Sequence, residues 1–198
     1  MLTKSNTYPS RLIHIATTDP YTHVSIGLEG LDGAFYSFGR KYKRLILPAG
    51  LVKEDVTCDS PLEIKYQMYR LRVTRSDYLR VKALLGEMYS HRERYHYNIL
   101  GMLSVYFNYP LRRRGRYFCS QFVAETLQSC GVVAFDKDTA LVRPMDFSHI
   151  SGLQLVSEGV IGRLGVDRSL PCPSEVVAVL PFGHLLLRAC RFCVRRRR

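Results

Sequence analysis

A cysteine and a histidine, far apart in the chain, are the residues of this sequence best suited to covalent chemistry. Cys119 stands near the start of an amphipathic pattern that runs from Arg116 to Gly131, and His23 lies in a short alternating segment upstream. A thiol in the first turn of a helix is near unpaired backbone N–H groups and the positive end of the helix dipole, which both favour the thiolate. With an imidazole as its base, such a thiolate can act as a nucleophile.

A purely structural interpretation is open for both residues. Free cysteine is among the most buried residue types, and Cys119 shares one helical face with residues that commonly form a core. That face contains Phe122, Val123, Thr126, Leu127 and Cys130. A histidine on a strand can likewise be an ordinary core or surface residue. The chemistry therefore depends on whether the two side chains meet in the folded chain.

The elements that must position these residues are indicated by hydrophobic periodicity. Residues 22–28 alternate as a strand does, and the face beside His23 is small because it contains Ser25 and Gly27. A core strand would normally fill such a face with bulky side chains, so we expect another element to need room there. Further strands are predicted over 34–38, 67–74 and 153–160, and helices over 11–17, 76–94 and from Cys119 to Gly131. Residues 41–56 are ambiguous between strand and loop.

The segments around the two residues resemble a known family. Thr22–Ile26 and Tyr117–Ala124 are similar to the histidine and cysteine motifs of the NlpC-type papain-like cysteine hydrolases. Shorter similarities occur at residues 35–40, 97–101 and 143–147. Histidine precedes cysteine here, which is the order of the circularly permuted branch that includes lecithin:retinol acyltransferase-like enzymes and bacterial relatives. The similarity covers about residues 10–160.

The resemblance implies an α+β, papain-like fold in which an antiparallel sheet packs against the helix that carries the nucleophile. Cys119 would be that nucleophile, and its backbone N–H would contribute to the oxyanion hole. His23 would be the general base that later protonates the leaving group, and the small strand face beside it would let the helix approach. Relatives often have a third polar residue, commonly histidine, on the strand after the base. Ser37 is nearest to that place and is the candidate that orients His23, with a serine of no special role as the alternative.

Length and charge indicate one domain with a basic extension. The 198 residues carry a net charge of +12, and arginines are concentrated just before Cys119 and at the C-terminus. We expect a hydrolase-like domain over residues 1–165, followed by a linker and a basic amphipathic tail over 166–198. Such a tail suits an anionic membrane surface. A C-terminal strand or helix that ends in a basic terminus is the alternative.

The cysteine content indicates a reducing compartment. Six cysteines in a chain of this length are not typical of a disulfide framework, and the first residues contain no apolar signal core. We therefore expect a cytoplasmic protein, with a peripheral position at the membrane as an extension of this prediction. No cofactor or metal is predicted, because the Cys190–Cys193 pair has no second pair with which to complete a zinc site.

Three functions are compatible with these patterns. The first is a cysteine-dependent hydrolase or acyl-transfer enzyme, in which Cys119 forms an acyl-enzyme from a peptide, another amide or a lipid ester. The second is a non-catalytic binding module on the same fold, which is motivated by the third site residue, where Ser37 stands and cannot stabilise an imidazolium as a carboxylate would. The third is a basic nucleic-acid-binding protein, for which the sequence contains no recognised motif.

Overall fold

The computed structural model describes residues 21–28, 35–41, 48–54, 64–161 and 184–192. Within these ranges the protein has an α+β architecture. The strands are β1 (Val24–Leu28), β2 (Phe35–Arg40), β3 (Ala49–Glu54), β4 (Ile64–Arg72), β5 (His96–Tyr97), β6 (Arg116–Tyr117), β7 (Leu153–Ile161) and β8 (His184–Phe192). The α-helices are α1 (Arg75–Ser90), α2 (Ile99–Ser104) and α3 (Cys119–Ser129), and 3-10 turns cover Arg92–Arg94, Val105–Phe107, Thr139–Leu141 and Pro144–His149.

The described strands form one mixed sheet in the order β6-β5-β3-β2-β1-β8-β4-β7. Neighbouring strands are antiparallel except for the short β5–β6 pair, which is parallel. The register places Gly27 opposite Phe35 in the β1–β2 pair and Phe35 opposite Glu54 in the β2–β3 pair. Residues directly opposite each other share a face of the sheet, so Glu54 lies on the same face as Phe35.

The C-terminal segment occupies a central place in the sheet. Strand β8 pairs with β1, where Val24 lies opposite Ala189, and with β4, where Ile64 lies opposite Phe192. For residues 184–192 this corresponds to the alternative that the sequence left open, a C-terminal strand in place of an amphipathic tail. Periodicity alone does not separate a short apolar strand from a helix, and backbone pairing with β1 and β4 makes this segment a strand. The rest of the predicted tail lies outside the described residues.

Most of the predicted elements that fall within the described ranges are present. Strands β1, β2, β4 and β7 are confirmed with shifted ends, and the predicted helix over 76–94 is α1 followed by a 3-10 turn. Strand β3 lies in the segment that periodicity left ambiguous, and the two-residue strands β5 and β6 were not predicted. The predicted helix over 11–17 lies outside the described residues.

Helix α1 is tied to the end of α3 by one arginine. The hydroxyl of Thr74 accepts a hydrogen bond from the N–H of Asp77 at 3.1 Å and caps the start of α1. From the next turn, the Arg80 guanidinium donates to the carbonyl oxygen of Cys130 through Nε at 3.1 Å and Nη2 at 3.0 Å. A cation at the C-terminal end of α3 complements the unpaired carbonyls there.

The aromatic core holds α3 against the sheet. The ring of Phe38 lies 5.1 Å from that of Phe122 and 5.3 Å from that of Tyr117, measured between ring centroids. Phe38 and Phe122 are almost completely buried, and Val81 and Leu85 of α1 belong to the same core cluster. Because α3 is buried along nearly its whole length, the position of its first residue is fixed by packing. No helix in the described part of the chain is both long and apolar enough to cross a membrane.

We predict that Phe38→Ala lowers the free energy of unfolding by about 3–5 kcal/mol, because it removes the ring that joins β2 to α3 and leaves a cavity. Urea denaturation followed by circular dichroism measures this change. The matched control is Phe107→Ala, since the Phe107 side chain is 83% exposed and its loss should change the free energy by less than about 0.5 kcal/mol. Equal effects of the two substitutions would contradict the role given to Phe38.

Candidate active site

Cys119 and His23 meet in the folded chain. Cys119 is the first residue of α3, His23 immediately precedes β1, and the imidazole lies close enough to the thiol for each group to shift the pKa of the other. The sulfur also lies 4.0 Å from the carbonyl oxygen of Thr22, the neighbour of His23. Both groups are largely covered, with Cys119 5% exposed and the His23 side chain 13% exposed. The two residues that the sequence singles out therefore form one site.

Each of the two residues is held by its own set of backbone contacts. β1 is paired on both sides, with β2 and β8, so the chain that leads into it from His23 is fixed. β6 and β5 are paired in parallel, and the carbonyl oxygen of Tyr117 accepts from the N–H of Asn98 at 2.9 Å. This pairing sets the position at which the chain enters α3 and presents Cys119.

A carboxylate completes the site on the side of His23 away from the thiol. Nε2 of His23 lies 2.7 Å from Oε1 of Glu54, which leaves Nδ1 as the ring nitrogen available to the sulfur. The hydroxyl of Ser37 donates to the same carboxylate oxygen at 2.5 Å. Ser37, the residue predicted to orient His23 directly, therefore acts on the imidazole through Glu54. The order of contacts is Cys119, His23, Glu54, Ser37.

Glu54 was missed because its segment has no clear periodicity. It ends β3 in the ambiguous stretch 41–56, beside the charged Lys53 and Asp55, where a glutamate normally faces solvent. The register explains its position. Ser37 lies opposite Val52, and Glu54, two residues further along β3, occupies the diagonal place on the same face. A carboxylate near His23 would be expected from the chemistry of a thiol–imidazole pair, but the sequence did not show which acidic residue supplies it.

The ionisation of the three groups is mutually dependent. Burial opposes charge on each of them, but Glu54 and the Cys119 sulfur raise the pKa of His23 to about 9. The pKa of Cys119 is lowered despite its burial, because His23 and the backbone N–H groups of Val24 and Ser120 favour the thiolate. The pKa of Glu54 is lowered in the same way, against burial, by His23 and Ser37. Near neutral pH this arrangement favours a thiolate–imidazolium pair with an ionised Glu54.

Tyr97 is a further member of the site that has no assigned role in the sequence motifs. Its hydroxyl donates a hydrogen bond to the sulfur of Met102 at 3.3 Å, and it lies close enough to Cys119 for the two groups to interact electrostatically. Burial and the adjacent thiolate raise its pKa well above the ordinary value of 10, so the phenol stays neutral and keeps its O–H donor. The residue lies in the similarity at 97–101, which was the signal that could have identified it.

A buried asparagine and a glycine position Tyr97. The side-chain oxygen of Asn98 accepts from the N–H of Gly101 at 3.1 Å, and its amide donates to the carbonyl oxygen of Leu111 at 3.0 Å. A Cβ at Gly101 would lie 2.1 Å from Nδ2 of Asn98, so a larger residue would displace this side chain. The turn after β5 is therefore built around Asn98, and it directs Tyr97 towards Cys119.

The small face of β1 has a different cause from the predicted one. A Cβ at Gly27 would lie 2.8 Å from Cε1 of Phe35, so the ring of Phe35 covers Gly27. The core cluster that contains Cys119 and Phe122 includes Val24, Ile26 and Leu28, which form the other face of the strand by alternation. Helix α3 thus approaches His23 past the start of β1, and not over Ser25 and Gly27.

Cys119 lies in the wall of a cleft that encloses about 460 Å³, including space open to solvent. Most of its lining is apolar. It includes Met102, Val105, Tyr106, Phe118, Val142 and Pro144. Arg143 is the charged side chain among the residues that line it. The cleft can therefore accept an apolar group whose reacting bond lies at the sulfur.

The described residues contain no group of three or more His, Cys, Asp or Glu side chains that could hold a metal ion. A thiol, an imidazole and a carboxylate arranged in this order can carry out proton transfer and acyl transfer. Comparisons with protein-family models, with curated proteins and with solved structures found no match to this chain.

We predict that Glu54→Gln moves the pH dependence of Cys119 alkylation by iodoacetamide upward by about 1–3 pH units. Without the carboxylate the imidazolium is less stable, so the pKa of His23 falls and Cys119 keeps its proton to higher pH. Peptide mass spectrometry of Cys119 over a pH series gives the profile. Glu87→Gln is the control, because Glu87 is an exposed residue of α1. An unchanged profile in Glu54→Gln would show that Glu54 does not set the state of the pair.

Proposed function

We propose that this protein is a cysteine-dependent hydrolase or acyl-transfer enzyme, with a papain-like arrangement of the kind found in the permuted NlpC-type branch. The observation that carries the proposal is the contact series Cys119–His23–Glu54, in which a thiol at a helix start meets an imidazole held by a carboxylate. The packing of α3 against the largely antiparallel sheet supports the same fold. The substrate class is an amide or an ester, from a peptide or a lipid.

In the acylation step, the Cys119 thiolate attacks the carbonyl carbon of the substrate and forms a C–S bond. The negative charge that develops on the oxygen is stabilised by the N–H of Cys119, which as the first helical residue has no partner within α3. The imidazolium of His23 then gives its proton to the leaving amine or alcohol as the C–N or C–O bond breaks. The product is a thioester at Cys119 and a neutral His23.

In the second step, water or another acceptor attacks the thioester while His23 takes a proton from it. The C–S bond breaks, the thiolate leaves, and the imidazolium and thiolate are restored. Glu54 stabilises the imidazolium at the two stages at which His23 is protonated, before acylation and during attack on the thioester. Because the pKa of His23 is about 9, we expect acylation to decline as the pH rises through that value and the proton for the leaving group is lost.

The two alternative functions are less well supported by the site. The binding-module hypothesis depends on the lack of a carboxylate beside His23, and Glu54 supplies one at 2.7 Å. For a nucleic-acid-binding protein, the basic run before Cys119 should be available to phosphates. Arg112, the first residue of that run, is instead paired with Glu125 and Asp138, both at 2.7 Å, and the sequence contains no recognised nucleic-acid-binding motif. The enzyme is therefore the function that accounts for the contacts among Cys119, His23 and Glu54.

We predict that Cys119→Ala lowers kcat/KM for a soluble p-nitrophenyl ester by about 10³-fold or more, because the covalent step is lost. Intact-protein mass spectrometry after a short incubation should show the acyl adduct in the wild type only. Cys130→Ala is a matched control, since Cys130 is a second buried cysteine at the other end of the same helix. Retained turnover in Cys119→Ala, or an adduct on Cys130, would exclude the mechanism.

We predict that Tyr97→Phe lowers kcat by about 10²-fold with little change in KM, because it removes a neutral, polar hydroxyl beside the reacting sulfur while the ring stays in place. The same variant should raise the pH at which Cys119 is alkylated, which a purely structural tyrosine would not do. Tyr95→Phe is the control, because Tyr95 is also on this edge and makes a ring contact with Tyr117. Equal kinetics of the two variants would rule out a part for the Tyr97 hydroxyl.

A further inference from the structure

Helix α2 and the 3-10 turn after it are apolar on opposite faces. Met102, Val105 and Tyr106 line the cleft of Cys119. Leu100 and Phe107 are seven residues apart, which is about two helical turns, so they share a face. That face is turned away from the cleft, and the two side chains are 55% and 83% exposed. A helix that is hydrophobic all round is normally buried. The outer face of this segment therefore lacks the cover that its composition leads us to expect.

The loop that follows extends the same exposed surface. Asn108 has a positive φ of 51° and reverses the chain, and the N–H of Tyr109 donates to the carbonyl oxygen of Ser104 at 3.1 Å. Tyr109 is 62% exposed. Further on, Leu111 is tied to the start of α2 through the side chain of Asn98. The loop thus folds back along α2, and the arginines that follow Leu111 are held near its first turn.

Two of these arginines differ from Arg112 in their surroundings. Arg112 is engaged by Glu125 and Asp138. Arg113 and Arg114 are exposed, and neither forms a salt bridge with an acidic residue in the described part of the chain. Positive charge without a counter-ion beside exposed aliphatic and aromatic side chains is the composition of a surface that binds an anionic lipid interface. A single-stranded nucleic acid would use the arginines and stack bases on the aromatic rings, but it would leave Leu100 in water, whereas a lipid interface covers all three apolar side chains.

We propose that an interfacial patch, defined by Leu100, Phe107, Tyr109, Arg113 and Arg114, docks the protein on an anionic membrane surface. The three apolar side chains enter the boundary between headgroups and acyl chains, and the two guanidinium groups contact lipid phosphates or carboxylates. Since the other face of the same segment lines the cleft, docking brings Cys119 close to substrates held in the bilayer. This last consequence rests on the proposed function, whereas the docking itself does not.

Flotation of the full-length chain with lipid vesicles tests the patch. The Cys119→Ala background is used so that turnover plays no part in binding. Vesicles of phosphatidylcholine with about 30 mol% phosphatidylserine should bind the protein, and pure phosphatidylcholine vesicles should bind it much more weakly. In Phe107→Ser/Tyr109→Ser and in Arg113→Gln/Arg114→Gln, the partition coefficient should fall by roughly tenfold or more, and raised salt should mimic only the second pair.

The controls are exposed side chains on other surfaces. Leu79 and Leu155 are each 51% exposed, so Leu79→Ser/Leu155→Ser matches the apolar pair. Arg75→Gln/Lys82→Gln, on exposed positions of α1, matches the charge change. Both control pairs should bind as the parent does, and an unchanged urea midpoint shows that each variant is folded.

Three results would overturn the proposal. They are no binding to anionic vesicles, equal binding by patch and control variants, and binding of single-stranded polynucleotide with none to vesicles. Hydrolysis of a soluble p-nitrophenyl ester by variants that keep Cys119 tests the proposed function independently of membrane docking. Patch variants should hydrolyse that ester at the parental rate. Absence of vesicle binding by the parent, with normal hydrolysis, would overturn docking alone, and vesicle binding without any hydrolysis by the parent would overturn the enzyme proposal alone.

Discussion

The ion pair between His23 and Glu54 is the interaction on which the chemistry of this site depends. A buried thiolate is costly unless nearby groups compensate its charge, and an imidazolium beside it is costly for the same reason. Glu54 lies 2.7 Å from His23 and makes the protonated imidazole stable. The imidazolium in turn favours the thiolate of Cys119. Because two negative groups share one positive charge, the hydrogen bonds from Ser37 and from backbone N–H groups supply the remaining compensation.

This balance requires that groups from distant segments are held within hydrogen-bonding distance. The site takes His23 from the chain before β1, Glu54 from β3 and Cys119 from α3, so no single element defines it. The sheet fixes the first two through its register, and the aromatic contacts of Phe38 fix the helix that carries the third. Close packing limits small displacements of these elements, which matters because charge compensation falls steeply with distance. The core thus sets the ionisation of the thiol as well as the stability of the fold.

Segment 99–109 connects the site with the surface. One side of it forms the cleft wall, and Asn98 at its start holds the turn that places Tyr97 against the sulfur. The other side exposes Leu100 and Phe107 to solvent. A change in what covers the outer face would act on a short helix that also contacts the cleft and follows Tyr97 directly. The binding surface that we infer and the candidate catalytic centre are therefore parts of one structural unit.

The sequence by itself determined the features that arise from short-range periodicity. It indicated Cys119 at a helix start, His23 beside a strand and most of the longer elements, because apolar spacing and helix ends are encoded by neighbouring residues. It did not indicate Glu54, which is 31 residues from His23, because the register of β3 against β2 depends on pairing across the sheet. It left residues 184–192 open between an amphipathic tail and a terminal strand or helix, because only pairing with β1 and β4 makes that segment a central strand. Tertiary structure decided these points, since strand partners and compensation of buried charge are properties of residues that meet only when the chain folds.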